Sequence, residues 1–518
     1  MYAAIKYAKM SKGKASGVDL PDIVLLLLTS FTAFAFVTVL SSAFADGDTG
    51  WHIATGQWIA THGTVPRSDP FSFTARGHPW VAHEWLSELL MYGAWRYGGW
   101  SGLILLFGTA AAALYAIIAL HLRRWQRPGA AALMMVYLSI GLAQSLLARP
   151  HLLALPMLAT WLIALLRARE RERAPPLALA ILMLVWANMH GSFVFGLALA
   201  GGLGLEALVA AAPSDRLRVI RQWGLFGITS GAAAMATPAG LDGLLYPLYV
   251  NNLSLLSLIS EWQPARFGGP TSLEVLLLSG LFFLLLRPVR IPVLRLLILL
   301  AALHITFEHI RNQMVLVTLA VILLAEPLGR AWAEDAERPR QALLPRLWAE
   351  RRELAPLLAV GLLLFVGAAT YRLITPFDRP DSYGVPVTAL RNLPPGLRDK
   401  PVFNEYSFGG LLAFEGIAPF IDGRSDMYGD AFTADYVKIA HGDVARWKAA
   451  EERWKFAWTI LPPDNALVKI LDREPGWRRA YTDKWAVIHV SDPAPAKPSI
   501  ARLPTETKPR AAAKPAPQ

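Results

Sequence analysis

The chain contains no cysteine, which excludes disulfide bonds, thiolate metal sites and cysteine nucleophiles. Charged residues are also scarce, at 17% of the 518 residues, whereas 54% are hydrophobic. The mean hydropathy is +0.36. Eighteen tryptophans fit the aromatic belts that membrane proteins place at both bilayer interfaces. The composition therefore indicates a membrane protein.

Hydrophobic runs long enough to cross a bilayer core of about 30 Å recur along the chain. The first run ends at Ala43-Phe44-Ala45, which has the small-x-small pattern of a signal peptidase site. It is nevertheless longer than the apolar stretch of about 7–15 residues in a signal peptide, so we predict a first transmembrane helix. Window hydropathy predicts about eleven spans: 22–45, 101–122, 129–147, 151–166, 175–189, 192–212, 224–240, 271–286, 292–308, 312–329 and 355–374.

The net charge of +11 comes from basic residues in short loops between the apolar runs. This distribution fits the positive-inside rule and requires no nucleic-acid partner. The basic segments all fall on one side of the predicted bundle: the lysines at 6, 9, 12 and 14, then 123–127, 167–173, 216–221, 287–290 and 338–352. We predict that this side and the N-terminus are cytoplasmic, and that an odd span count leaves the C-terminal part outside.

Polar residues from sequence-distant segments gather on the opposite, outer face. They follow the first span, lie in the first external loop, or form turns between later spans: Asp46, Asp48, His52, His83, Glu84, Glu88, Arg149, His151, Asn188, His190, Asn251, Asn252, Glu261, Trp262, Glu308, His309, Arg311 and Asn312. Ionisable groups at membrane depth are costly and usually functional. Their convergence predicts a lined cavity.

Each of these residues also has a structural explanation when it is taken alone. Arg149 or any histidine could mark a helix end at the interface. Asn188 and His190 could hydrogen-bond neighbouring helices. Asp46 and Asp48 could cap the helix that follows them. The functional interpretation depends on the convergence of the whole set.

The first external loop is predicted to contain two helices. Trp51 and Trp58 recur at helical spacing and predict an amphipathic segment lying on the membrane. A second helix is predicted to begin at His78-Pro79-Trp80, with proline in its first turn. It would place Glu84 and Glu88 one turn apart on one face.

Residues 376–491 are predicted to form a small soluble α/β domain outside the membrane, and residues 492–518, rich in Pro, Ala and Lys, are predicted to be disordered. The predicted strands and helix of the domain are 401–404, 420–422, 458–461, 485–490 and the helix 465–472. Asp422, Arg424 and Asp426 form a charged loop, which we interpret as a salt-bridged turn, with ligand binding as the alternative.

Several motifs span nearly the whole chain: Asp46-x-Asp48-x-x-Trp51-His52, Asp69-Pro70-Phe71-Ser72, Pro79-Trp80-x-x-His83-Glu84-Trp85, Ala148-Arg149-Pro150-His151, Trp186-Ala187-Asn188-x-His190-Gly191-Ser192-Phe193, Glu261-Trp262, Phe403-Asn404-Glu405-Tyr406 and Ile421-Asp422-Gly423-Arg424. Together they resemble a large bacterial family of polytopic membrane proteins that is grouped with the GT-C glycosyltransferases. The motifs identify the family far better than its substrate.

The resemblance implies a mainly α, GT-C-type helix bundle of about eleven spans over residues 1–375, including the first external loop at 46–100. It also implies a location in the bacterial inner membrane. The implied activity moves a sugar from a polyprenyl-phosphate donor to an extracytoplasmic glycan, lipid or protein. The remaining alternatives are a lipid or polysaccharide transporter or flippase, and a non-catalytic membrane scaffold.

Roles can be assigned to the candidate site residues on this basis. Asp48 is the preferred general base and Asp46 the second catalytic candidate. Arg149, Arg311 and the histidines would hold the phosphate. The predicted substrate-binding residues are His52, His83, Glu84, Arg149, His151, Asn188, His190, Glu261, His309 and Arg311. A cofactor is not required, although Asp46, Asp48 and Glu84 could hold Mg²⁺ or Mn²⁺.

Overall fold

The computed structural model describes residues 20–39, 44–251, 253, 256, 259–332, 351–375 and 377–492. The described residues are mainly helical and carry one small sheet near the C-terminus. In chain order the helices are α1 Leu20–Val39, α2 Thr49–His62, α3 Trp85–Leu122, α4 Pro128–Leu142, α5 Pro150–Glu170, α6 Ala180–Met189, α7 Phe193–Ala210, α8 Arg216–Met235, α9 Leu241–Asn251, α10 Ser272–Leu286, α11 Val293–Glu308, α12 Gln313–Trp332, α13 Arg351–Ile374, α14 Val387–Arg391, α15 Gly409–Phe414, α16 Ser425–Ala440, α17 Val444–Trp454 and α18 Ala466–Leu471. The strands are β1 Val402–Asn404, β2 Trp458–Leu461, β3 Trp477–Thr482 and β4 Val487–Ser491.

Within the described ranges, seven helical segments are long and apolar enough to cross a membrane: Leu20–Val39, Trp85–Leu122, Pro128–Ser145, Pro150–Glu170, Phe193–Ala210, Ile310–Trp332 and Leu354–Ile374. This confirms the prediction of a mainly helical protein with several segments that are long and apolar enough to cross a membrane. The other four predicted spans coincide with α6, α8, α10 and α11. The count of eleven therefore stays a prediction. The N-terminal lysines, Asn252, the basic segment up to 350 and the tail from 493 lie outside the described residues.

Helix α2 forms where the tryptophan spacing predicts a helix, but its predicted position on the surface is wrong. Residues 49–56 are buried, and the backbone packs closely against α3 and α15. A Cβ on Gly50 would lie 2.3 Å from the carbonyl oxygen of Gly410, and one on Gly56 would lie 2.0 Å from that of Glu88. Only glycine permits such contacts, so α2 is held inside the protein by its close helix packing.

The second helix of the loop begins at Trp85, not at His78 as predicted. The backbone N–H of Trp80 donates to the carbonyl of Arg67 at 3.0 Å, and the N–H of Asp69 donates to the carbonyl of His78 at 2.9 Å. These bonds hold residues 78–80 against the preceding turn, so they cannot begin a helix. Helix α3 bends at Gly99, where φ is +57°, and its membrane-spanning part follows this bend.

The sheet of the C-terminal domain has the order β1-β2-β4-β3, with β1 and β2 parallel and the other pairs antiparallel. Three predicted strands and the helix α18 are present. The predicted strand at 420–422 is wrong: the Asn404 side chain bonds the backbone N–H of Phe420 at 2.8 Å and the carbonyl of Ile421 at 2.8 Å. Strand β3 was not predicted, because its largely exposed edge position leaves little hydrophobic alternation.

A buried ion pair joins the C-terminal domain to the first loop. The Arg424 guanidinium contacts the Asp422 carboxylate at 2.6 Å and the Asp69 carboxylate at 2.7 Å, and all three side chains are buried. The interpretation of a salt-bridged turn is confirmed for Asp422 and Arg424. Asp426 instead accepts a hydrogen bond from the Tyr246 hydroxyl of α9. The domain is therefore docked against the helices whose ends form the cavity described below.

Candidate functional site

A cavity of about 1390 Å³ lies where many helix ends meet. It is bordered by the chain segments after α1, α6 and α11 and by those before α3, α5, α7 and α12. The apolar lining from α7, α11 and α12 includes Val194, Phe195, Ile305, Met314 and Val315. The polar lining comes from the first loop, the helix ends and the C-terminal domain. The cavity can therefore accommodate a molecule with a polar and an apolar part.

Ten of the twelve predicted site residues line this cavity: Asp46, Asp48, His52, His83, Glu84, Arg149, His151, His190, Glu261 and Arg311. Asn188 lies outside the lining, and its amide bonds Trp85, the Leu184 carbonyl and the Ala236 carbonyl at 2.7–3.1 Å. This supports the alternative in which Asn188 joins neighbouring helices. His309 also lies outside it and donates from Nδ1 to the Trp262 carbonyl at 2.6 Å.

Arg149 is the centre of the charged part of the site. Its guanidinium donates two hydrogen bonds to the Asp46 carboxylate, one of them at 2.6 Å from Nη2 to Oδ1. The same Nη2 lies 3.1 Å from Oδ2 of Asp48, and Nη1 bonds both carboxylate oxygens of Glu261 at 2.9 and 3.0 Å. Three carboxylates from two distant segments thus share one arginine, which is itself placed at the start of α5.

The two aspartates differ in their affinity for a proton. Burial opposes ionisation of Asp46, but the bidentate contact with Arg149 outweighs it and lowers the pKa of Asp46. Burial, opposed by Arg149 and reinforced by the nearby Asp46 and Glu261 carboxylates, raises the pKa of Asp48 to about 6. Asp46 is therefore a fixed anion, whereas Asp48 can exchange a proton near neutral pH.

Arg311 also contacts Glu261. Its Nη1 atom is 3.4 Å from Oε1 of Glu261, and its guanidinium stacks on the Trp262 ring at 4.1 Å from the ring centroid. Its side chain is 25% exposed and lines the cavity. Burial of Glu261 is outweighed by the two arginines, which lower the pKa of that carboxyl.

A second group of ionisable residues surrounds Glu84. Its carboxylate lies 3.4 Å from Nε2 of His190, 3.6 Å from Nε2 of His83 and 3.8 Å from Nδ1 of His52. Nδ1 of His52 is also 3.3 Å from Oε1 of Glu88. Burial raises the pKa of Glu84 to about 8 and lowers the pKa of His83 to about 4. At neutral pH the group is thus largely uncharged, in contrast to the group around Arg149.

The acidic side chains of the cavity bear on the predicted binding of Mg²⁺ or Mn²⁺. Within the described part of the chain, no group of three or more His, Asp or Glu side chains has an arrangement that could hold a metal ion. The Asp46 carboxylate is bound by Arg149. The role of Mg²⁺ or Mn²⁺ remains a prediction.

Several residues that contribute to the site were not assigned a role from the sequence. A Cβ on Gly423 would lie 2.0 Å from Oδ1 of Asp48, so any larger residue there would displace the Asp48 carboxylate. Arg379 donates to the backbone carbonyls of Phe44 and Asp46 at 3.1 and 2.5 Å and holds the loop that carries the aspartates. The Ile421-Asp422-Gly423-Arg424 motif could have indicated Gly423. Arg379 belongs to no motif.

No protein-family model matches the chain, and no curated protein matches it.

Proposed function

We propose that this protein is a membrane glycosyltransferase of the GT-C type that transfers a sugar from a polyprenyl-phosphate donor to an extracytoplasmic acceptor. The observation that carries the proposal is the position of Asp48. This carboxylate, with a pKa of about 6, lies beside a fixed Asp46–Arg149 ion pair in a cavity that also has an apolar wall. This reaction requires a proton acceptor, fixed charges and an apolar surface.

The reaction needs little chemistry from the protein, because a sugar phosphate is already activated. Asp48 takes the proton of the acceptor hydroxyl. The acceptor oxygen forms the new glycosidic bond as the bond between the anomeric carbon and the phosphate oxygen breaks, and the polyprenyl phosphate leaves with the bonding electrons. The apolar residues of α7, α11 and α12 would contact the prenyl chain.

The contacts of Arg149 change its proposed role. Its guanidinium is already bound by Asp46, Asp48 and Glu261, so we assign it to holding the two aspartates. Arg311 has one longer contact with Glu261 at 3.4 Å and a surface open to the cavity. We therefore propose Arg311 as the main contact for the phosphate, through charge-assisted hydrogen bonds.

Replacing Arg311 with Gln should weaken binding of a polyprenyl monophosphate by about tenfold or more, because a charge-assisted bond in a poorly hydrated site is worth about 1.5–3 kcal/mol. Binding can be measured by native mass spectrometry of the detergent-solubilised protein. Arg287→Gln is the matched control, since Arg287 also stacks on a tryptophan, Trp332, at 5.2 Å but does not line the cavity. Equal affinities for both variants would remove Arg311 from the phosphate site.

The proposal also requires that the cavity opens away from the cytoplasm of a bacterial inner membrane. The one-sided distribution of basic loops predicts this orientation. A reporter fused after Gly384 should be active only outside the cytoplasm, and one fused near Glu334 only inside it. Cytoplasmic activity of the first fusion would reverse the orientation and leave the cavity without access to an external acceptor.

A further inference from the structure

The cavity that holds Asp48 extends from the helix ends onto the C-terminal domain. This extension, which we call the domain arm, is formed by the lining residues within 383–384, 405–407, 433–441 and 462–466. The proposed phosphate contact and the apolar wall lie at the helix ends, so they do not occupy the domain arm. The arm is therefore the part of the cavity that is available to a second molecule.

The domain arm lies at the edge of the sheet where ligands of α/β domains commonly bind. Strands β1 and β2 are parallel, so their carboxyl ends meet at the same edge. Glu405 and Tyr406 directly follow β1. Asp464 and Asn465 follow β2, and all four residues line the arm. Because ligands bind in the crevice beyond the carboxyl ends of parallel strands, the topology favours a binding site here.

The inner end of the domain arm borders Asp48. The Tyr406 hydroxyl donates to the carbonyl of Gly423 at 3.2 Å. Gly423 packs directly on Asp48, since a Cβ there would lie 2.0 Å from Oδ1 of the carboxylate. Burial and, after it, the charge of Asp48 raise the pKa of Tyr406. Tyr406, Gly423 and Asp48 line the same cavity, so a molecule in the arm and the Asp48 carboxylate share one continuous space.

The accessible side chains of the domain arm are acidic, aromatic or polar. Glu405 is partly exposed and Asp464 is exposed, so a ligand can reach both carboxylates. Tyr383 is 64% exposed, which leaves its ring open to the arm. Among the described residues that line the arm there is no arginine or lysine. The arm thus differs in charge from the helix ends, where Arg311 lies.

These side chains favour a saccharide that has no acidic group. An aromatic ring can pack on the C–H face of a sugar, and carboxylates can accept hydrogen bonds from its hydroxyls. Burial is the main cause that raises the pKa of Glu405, and Asp464 adds to it, so hydroxyl donors would stabilise this carboxylate. A phosphate or carboxylate group would meet two acidic side chains without a basic partner. A lipid chain would cover polar groups without bonding them.

We propose that the domain arm binds the acceptor of the transfer reaction, and that this acceptor is a saccharide without acidic groups. The inference rests on the proposed function, because it assigns the second substrate of the same reaction. The sugar ring would lie on Tyr383, and its hydroxyls would donate to Glu405 and Asp464. The hydroxyl that loses its proton would lie at the inner end of the arm, between Tyr406 and Asp48.

Photo-crosslinking in living cells tests this assignment. A diazirine amino acid placed at Ala466, which lines the domain arm, should capture a saccharide that mass spectrometry of the crosslinked peptide identifies. The same probe at Ala445, an exposed residue of α17 that does not line the cavity, is the control. Capture of a neutral or amine-bearing saccharide at Ala466 and not at Ala445 is the expected result. A phosphorylated or uronic-acid-containing saccharide at Ala466 would overturn the proposed acceptor class.

The two carboxylates are tested with the same probe at Ala466. Glu405→Gln and, separately, Asp464→Asn should each lower the saccharide capture at least fivefold, because a hydrogen bond to a charged group is stronger than one to a neutral amide. Asp464 is exposed, so its replacement does not endanger folding. Glu452→Gln is the matched control, since Glu452 is an exposed residue of α17 that does not line the cavity. Capture equal to that of the control in both variants would overturn the proposed binding mode.

The outcomes separate this inference from the proposed function. If the protein binds polyprenyl monophosphate but only lipid, peptide or nothing is captured at Ala466, the domain arm is not a saccharide site and the proposed function stands. If saccharide is captured at Ala466 but polyprenyl monophosphate does not bind, the domain arm is a saccharide site and the proposed donor is wrong. If neither binds, both proposals fail.

Discussion

Replacing Asp48 with Asn should lower the rate of sugar transfer by about 10²–10⁴-fold, which is the usual contribution of a general base. Asparagine keeps the shape of the side chain and its ability to accept a hydrogen bond, but it cannot take a proton. The rate can be measured as glycan formation in a deletion strain that is complemented with the variant at equal protein abundance. Normal glycan formation by Asp48→Asn would remove the general base from the mechanism.

The pH dependence of the wild-type transfer rate is a second test of the role of Asp48. Asp48 must be ionised to accept a proton, and burial raises its pKa to about 6. The rate at low acceptor concentration should therefore be constant above about pH 7 and fall by about tenfold per pH unit below pH 5. A rate that stays constant down to about pH 5 would assign the base to a carboxyl with an ordinary pKa.

Replacing Asp46 with Asn should have its main effect on stability. Asp46 makes the bidentate contact with Arg149. Removing one partner of an isolated buried ion pair costs about 3–5 kcal/mol, and the cost here is smaller because Asp48 and Glu261 still contact Arg149. Asp435→Asn is the matched control, since Asp435 forms an exposed ion pair with Arg446, and such pairs contribute about 0–1 kcal/mol. The apparent unfolding temperature in detergent should fall far more for Asp46→Asn. Equal unfolding temperatures would show that the pair does not hold the loop.

The two aspartates should differ in the sign of their effect on stability. Because the folded pKa of Asp48 is raised from 3.8 to about 6, its ionisation costs stability, and the cost develops between about pH 4 and pH 6. Above pH 6, Asp48→Asn should be as stable as the wild type or more stable. Asp46 has a lowered pKa, so its contribution is present at neutral pH and is lost in acid.

The long apolar helices could be predicted from the sequence, because hydrophobic length is a local property. The convergence of Asp46, Arg149 and Glu261 on one cavity could also be predicted, because the predicted spans place their loops on one face. The direct contacts of Arg149 with Asp46 and with Glu261 could not be predicted, because they depend on the packing of residues more than 100 positions apart.

The errors concern segments whose conformation is set by tertiary contacts. Helix α2 has aromatic residues at helical spacing, and nothing in its sequence shows that α15 covers it. The segment 420–422 has the residues of a strand, but the Asn404 side chain takes its backbone bonds. The role of Arg379 depends on hydrogen bonds to two backbone carbonyls. Every residue has a backbone carbonyl, so the sequence does not indicate these contacts.

Lipid-linked glycan profiling of a deletion strain tests the proposed function most directly. The strain would be complemented with the wild-type gene, with Asp48→Asn or with the control Asp435→Asn, and its lipid extract analysed by mass spectrometry. We predict that a polyprenyl-phosphate sugar accumulates and that one surface glycan is lost in the deletion and Asp48→Asn strains, while wild type and control restore both. Identical lipid-linked sugars and glycans in all four strains would contradict the glycosyltransferase proposal and favour the transporter or scaffold alternatives.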